Sequence, residues 1–170
     1  MQHTLSLRWL VALLLVVWAG ASAAEQFQDL NGEPRSLDDY TGKGKWLVVM
    51  IWASDCHICN AEAQQYDIFH GNHMKTDATV LGISMDGAAG KQEAAAFVER
   101  HLLTFPNLIG EPEDVADLYS ASTGRPWIGT PTFLIYGPDG RLRAEQVGAV
   151  PTELIEEFIV REAQSAQPKG

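Results

Sequence analysis

The chain has 170 residues, 46% of them hydrophobic, and its 12 basic against 22 acidic side chains leave a formal charge of −10 with a pI near 4.8. That length holds one domain once any targeting segment is removed, and the acidic balance excludes the electrostatics that hold nucleic acid or anionic lipid. No acid run demands more than a solvated, soluble surface.

Residues 1–24 read as a signal peptide. Arg8 lies in a short n-region, an apolar stretch runs from Trp9 to Trp18, and Ala19-Gly20-Ala21-Ser22-Ala23-Ala24 offers an A-x-A cleavage site. The mature chain then begins near Ala24 or Glu25. The alternative is an uncleaved anchor, although the apolar stretch is shorter than the roughly 20 residues a spanning helix needs. Either way the expected location is the periplasm, where a lone pair of cysteines rests as a disulfide unless something re-reduces it.

Phe27 to Leu37, with Asn31-Gly32 between short apolar positions, predicts a hairpin against the body of the domain. The run Trp46 to Ile51 is too short for a helix and predicts a buried strand, feeding a turn and a helix at about Cys56 whose clear pattern spans Ala61 to His70. Ala78 to Ser84 is the next buried strand. Lys91 to His101 is a helix with Ala94, Phe97, Val98 and His101 at helical spacing, and Pro112 opens a short third helix carrying Val115, Leu118 and Tyr119. Thr132 to Tyr136 is a strand, Gly137-Pro138-Asp139-Gly140 a turn, and Arg141 to Val147 the antiparallel partner. Leu154, Ile155, Phe158 and Ile159 mark a closing helix, and 163–170 a flexible tail. Strands alternating with helices, then a hairpin and a helix, predict an α/β domain over 25–162 with a central mixed sheet flanked by helices.

The chain's two cysteines stand in Trp52-Ala53-Ser54-Asp55-Cys56-His57-Ile58-Cys59, at the strand-to-helix junction. There Cys56 meets unpaired backbone N–H groups and the positive end of the helix dipole, which stabilise a thiolate, the form that attacks disulfides. Cys56 is the expected nucleophile. Cys59, one turn deeper on the same side, is the expected resolving thiol, closing a disulfide with Cys56 and releasing whatever was attached. A structural clip is a poor alternative, because a loop of about four residues constrains the unfolded chain by only about 2 kcal/mol. A zinc or copper site would use Cys56, His57, Cys59 and another histidine. His70, however, lies roughly 16 Å from Cys59 along a continuous helix, against metal–ligand bonds of about 2.0–2.3 Å, so no metal is expected. Covalent haem attachment needs a histidine after the second cysteine, where this chain has Asn60. The only redox group expected is the disulfide itself, with no further cofactor.

Together with Gly129-Thr130-Pro131-Thr132-Phe133-Leu134-Ile135, this segment resembles the thioredoxin fold, and specifically its exported TlpA/ResA-like thiol-disulfide oxidoreductases, over about Phe27 to Ile159. Three details favour that branch over a plain thioredoxin: the N-terminal Asp-Leu-Asn-Gly hairpin, an extra strand and helix before Pro131, and Glu62. The resemblance implies that Pro131 is a cis-proline facing the disulfide, which would turn the backbone of Thr130 toward the dithiol to pair with an extended substrate peptide. It implies that Glu62 takes the proton of Cys59 as that thiol becomes the attacking thiolate. His57 is a candidate for stabilising the Cys56 thiolate, and Trp52 is expected to pack beside the active site with a role in shaping the substrate face. His70, His73 and His101 are expected to be surface or packing residues.

Three departures from the family pattern stand out. Asp55 precedes Cys56 where relatives carry an aromatic, and its charge opposes ionisation of the thiol. Met50 occupies the strand position where plain thioredoxins bury an aspartate, which leaves proton shuttling to Glu62. Ser120 to Ile128 is longer than the family's linker and is expected to form a lip, with Trp127 as a contact for a partner. The resemblance implies a monomeric reductant of other exported proteins, for example in cytochrome c or copper-site maturation. Its electrons would come from a membrane thiol transporter of the DsbD/CcdA kind. A disulfide oxidase or isomerase is the runner-up, and a copper or zinc carrier the non-enzymatic alternative.

Overall fold

The computed structural model describes residues 27–165, so the leader read at 1–24 lies outside the described residues. In chain order the elements are β1 (Phe27–Asp29), β2 (Pro34–Arg35), a 3-10 turn (Leu37–Asp39), β3 (Trp46–Trp52), α1 (His57–His73), β4 (Ala78–Ser84) and α2 (Lys91–Arg100). There follow β5 (Asn107–Ile109), α3 (Pro112–Thr123), β6 (Thr132–Tyr136), β7 (Leu142–Val147) and α4 (Thr152–Ser165). Among the described residues no helix is long and apolar enough to cross a membrane.

The seven strands form one mixed sheet in the order β2-β1-β5-β4-β3-β6-β7. β3 reads WLVVMIW and is buried along its whole length, as a strand covered on both faces must be. It pairs in parallel with β4 from Trp46↔Ala78 to Trp52↔Ser84, and antiparallel with β6 from Leu47↔Tyr136 to Ile51↔Thr132. Successive side chains of β3 point to opposite faces, so they divide the core in two. Trp46, Val48, Met50 and Trp52 join α1, α2 and α4, whereas Leu47, Val49 and Ile51 join Phe27, Val115 and Tyr119 beneath α3.

At β1–β2 the predicted hairpin is present, and Asp29 organises its turn. Its carboxylate accepts from the backbone N–H groups of Asn31 (2.9 Å) and Glu33 (3.0 Å) and pairs with Arg35. Between β4 and Pro131 lie α2, β5 and α3, where the resemblance implies an inserted strand and helix. β5 itself has no clear signal in sequence. Its three residues become a strand because they bridge β4 to β1, pairing Gly82↔Asn107 and Gln28↔Ile109.

Several boundaries differ from the sequence reading. α1 starts at His57 with Cys56 as its cap, where the sequence places it, but runs past His70 to His73, because Phe69 keeps burying surface near its end. α3 includes Ser120 to Thr123 and stops at Gly124, whose φ of 71° suits a residue without a side chain. The linker before Gly129 is therefore only 124–128. α4 extends to Ser165, so Ala163, Gln164 and Ser165 are helical rather than part of a loose tail.

Candidate active site

The turn that carries the cysteines leaves β3 at Trp52, beside the carboxyl end of β4, the edge where open α/β sheets place their sites. Trp52 anchors it from inside. Its ring is fully buried, stacks on Phe97 at 4.1 Å and donates through Nε1 to Asn107 Oδ1 at 3.2 Å. Gly82 makes room for this contact, since a Cβ there would stand 1.9 Å from Asn107 Oδ1 and 2.9 Å from Trp52 Nε1. Trp52 thus packs beside the active site as the sequence leads one to expect, while its further expected role in shaping the substrate face is corrected: it has no surface to offer and acts from the core.

Ser54 is the next fixed point. Its N–H lies 3.1 Å from both oxygens of the Asp86 carboxylate and its hydroxyl 3.0 Å from one of them, while Ser84 donates to the same carboxylate at 2.6 Å. Nothing in the local sequence singles out Asp86. Its place just beyond β4, at the carboxyl edge, is the signal that would have found it.

Cys56 is the N-cap of α1, with extended backbone (φ −72°, ψ 111°), and its sulfur accepts the N–H of Cys59 at 3.1 Å. The two cysteines are joined as a disulfide with Cα atoms 5.2 Å apart. Cys56 is partly exposed and Cys59 is buried, so an incoming group meets the first sulfur and not the second. Asp55 and His57 flank the cap in solvent. Ile58, 45% exposed, and Ile128, 74% exposed, are large apolar side chains left open beside the cysteines and just before Gly129.

The Thr130–Pro131 peptide bond is cis, as the resemblance implies, and Pro131 is buried. The proline carbonyl accepts from Gly148 N at 2.8 Å and the Gly129 carbonyl accepts from the Thr132 hydroxyl, which ties this loop to the ends of β6 and β7. Trp127 is half-buried against the core beneath α3, and its Nε1 is buried without a hydrogen-bond partner. Ile128, rather than Trp127, carries the exposed apolar surface of this segment.

Glu62 is partly buried on α1. Its Oε2 accepts from Gln65 Nε2 at 2.6 Å and from the backbone N–H of Val150 at 3.2 Å. The neighbouring Tyr66 donates to the Val150 carbonyl at 2.8 Å and stacks on Phe133 at 4.5 Å. Burial, and then the charge of Glu62, push the Tyr66 hydroxyl well above its ordinary value, so it remains a neutral donor. Glu62 thus holds the β7–α4 loop, and among the described residues it makes no hydrogen bond to either cysteine.

The histidines read as packing residues are indeed packed, but one reaches the site. His101 Nε2 lies 2.9 Å from Asn60 Oδ1, and Asn60 Nδ2 donates to the carbonyls of Ser54 (3.1 Å) and Cys56 (2.9 Å). Burial, and then the adjacent Arg100 charge, hold His101 below the ordinary imidazole range, which favours the neutral ring. His70 and His73 lie toward the other end of α1. No group of three or more His, Cys, Asp or Glu among the described residues is placed to hold a metal ion.

Residues 21–145 match the AhpC/TSA family. The thiol-disulfide oxidoreductase ResA of Halalkalibacterium halodurans is 27% identical over 146 residues, covering 82% of this chain and 76% of the relative. Among solved structures, a thioredoxin-family thiol:disulfide interchange protein from Chlorobium tepidum aligns with a TM-score of 0.66 at 18% identity, over 79% of this chain and 89% of the other. StoA from Bacillus subtilis aligns with a TM-score of 0.61 at 20% identity, over 78% and 93%. With a thioredoxin-like sheet, a CxxC disulfide capping α1 and that family match, the chain belongs to the AhpC/TSA family and is a thiol-disulfide oxidoreductase.

Proposed function

We propose that this protein is exported to the periplasm and reduces disulfides in other exported proteins through Cys56 and Cys59. One observation carries the reading: Cys56, the helix cap, is partly exposed, and Cys59, bonded to it, is fully buried. In the dithiol form the Cys56 thiolate attacks one sulfur of a substrate disulfide, forming a mixed disulfide and releasing the other substrate sulfur as a thiolate that takes up a proton. Cys59, deprotonated, then attacks the Cys56 sulfur. The enzyme disulfide forms, the second substrate thiol leaves, and two electrons and two protons have passed to the substrate.

Glu62 is the proposed acceptor for the Cys59 proton, being the partly buried carboxylate nearest in sequence on the same helix. Thr130 is the proposed backbone partner of an extended substrate, with Ile58 and Ile128 as apolar contacts beside it. Asp55 and His57, both exposed, flank the nucleophile and would tune its ionisation in opposite directions. The disulfide is the sole redox group invoked, and a membrane thiol-electron transporter would return it to the dithiol. Residues 1–24, read as a leader, support the location.

Replacing the resolving thiol tests this directly. Cys59→Ala should accumulate mixed disulfides through Cys56, and the trapped partners should be exported proteins with paired cysteines. Stoichiometric metal with no trapped partner would favour a carrier instead. The direction of transfer is read from the reduction potential, expected nearer the thioredoxin value of about −270 mV than the DsbA value of about −120 mV. A strongly oxidising value would make the enzyme an oxidase or isomerase.

A further inference from the structure

Asn60 occupies a position that no step above uses, yet it spends its whole side chain on the catalytic turn. Both hydrogens of Nδ2 go to main-chain carbonyls, those of Ser54 at 3.1 Å and Cys56 at 2.9 Å, the residues on either side of Asp55. That leaves only Oδ1 to face His101 Nε2 at 2.9 Å, so the ring must carry its proton on Nε2 for the contact to be a hydrogen bond. His101 in turn lies against Phe97 at 4.6 Å, and Phe97 against the buried Trp52. The amide is therefore locked in one orientation by a partly buried ring that packs on the core residue Phe97. On the same turn, Asp86 holds the N–H and hydroxyl of Ser54. Ser54 is thus fixed through its nitrogen, its hydroxyl and its carbonyl, and Cys56 through its carbonyl.

We propose that Asn60, oriented by His101, is a positioning residue for Cys56. It holds the Ser54–Cys56 turn so that, in the dithiol, the Cys56 sulfur stays over the N–H of Cys59 and the end of α1. The thiolate depends on that placement, because a charge-assisted N–H···S contact and the helix terminus act only at short range. A turn free to swing would lose the contact and let water compete for the N–H. The inference rests on the proposed role of Cys56 as nucleophile and adds a residue to that same site.

The test is ionisation of Cys56 in the reduced protein, read by thiolate absorbance against pH, together with equilibration against glutathione. Asn60→Leu removes both donors and the acceptor at similar size. Its thiolate fraction at neutral pH should fall about 3- to 10-fold, the effect expected for losing one hydrogen-bonded contact, and the potential should become more reducing. His101→Leu should shift both quantities the same way by less, and His101→Gln, which keeps a donor at the Nε2 position, should recover most of that loss. The double variant Asn60→Leu with His101→Leu should be no worse than Asn60→Leu alone.

An Asn60→Leu protein with unchanged thiol titration, or single effects that add fully in the double variant, would overturn the proposal. Should Asn60→Leu fail to fold, the pair His101→Leu and His101→Gln reads the same contact, and equal shifts in the two would overturn it. Failure of the proposed function shows separately, as absence of trapped partners in Cys59→Ala while these titrations still respond.

Discussion

The two faces of the sheet do different work. Beneath α3 the core is largely aliphatic, with Leu47, Val49, Ile51, Leu81, Ile83 and Leu108 packed around Phe27, Tyr119 and Tyr136. Beneath α1, α2 and α4 it is dominated by rings, among them Trp46, Trp52, Tyr66, Phe69, Phe97, Phe105 and Phe133, and it contains Cys59. Aliphatic side chains fill space without direction, whereas Trp52 and Tyr66 also carry a donor that must find a specific acceptor. They find Asn107 and the Val150 carbonyl, and so fix the turn before the cysteines and the loop beside Glu62. Tyr119 and Tyr136 on the other face also donate, to Glu145 and Ser122, but those bonds tie α3 to β7 and β6, so the face that holds the redox pair is the one whose directional bonds reach the cysteine turn.

The sharpest way to break this comparison is to open a cavity on each side. Trp52→Ala should cost about 3–5 kcal/mol and Leu81→Ala about 2–5 kcal/mol, both read as a fall in Tm. The two should part in reactivity: at a temperature where both remain folded, Trp52→Ala should change the rate of Cys56 alkylation and Leu81→Ala should leave it alone. Equal effects on the thiol would mean the faces are not functionally distinct.

A smaller effect is expected at Glu62. Glu62→Gln keeps an acceptor for the Val150 N–H but removes the charge, so the pH dependence of disulfide exchange should shift while stability changes by only about 1 kcal/mol. An unchanged pH profile would confine Glu62 to holding the β7–α4 loop.

The smallest effects are those of two histidines one turn apart on α1, and their signs should oppose. His70 is buried and its Nδ1 accepts the Val80 N–H at 3.1 Å, so burial, against a weaker pull from Asp67, holds it below the ordinary range. The unfolded chain then binds the proton first, and His70 should cost stability as pH falls below about 6.5. His73 faces Asp77 at 2.9 Å and Glu156 at 3.2 Å. Burial lowers it, but the two acceptors outweigh burial and raise it overall. Its contribution should be complete below about 6.5 and disappear as pH rises through the folded value, at most about 0.5–1 kcal/mol for a group that solvent still reaches. Comparing Tm against pH for His70→Gln and His73→Gln checks both, and slopes of the same sign would sink the assignment.

Local pattern was enough for the elements whose burial the sequence repeats at short range. Val48 to Ile51, Ala78 to Ser84 and Thr132 to Tyr136 are apolar runs that only a central sheet can cover, and Cys56 to Cys59 at the end of such a run gives the redox pair without any structure. The cis bond at Pro131 came from likeness to a family and not from a local rule. What sequence missed shares one physical feature, dependence on partners far along the chain. β5 is a strand only because β4 and β1 flank it. Asp86, Asn60 and His101 look ordinary one by one, and they converge on Ser54 and Cys56 only when β3, β4, α1 and α2 are brought together. The sequence by itself determined which atoms can exchange electrons, because thiol chemistry is a property of residue type and spacing. Tertiary structure alone decided how those atoms are held, because hydrogen bonds and burial between distant segments exist only after the chain has closed on itself.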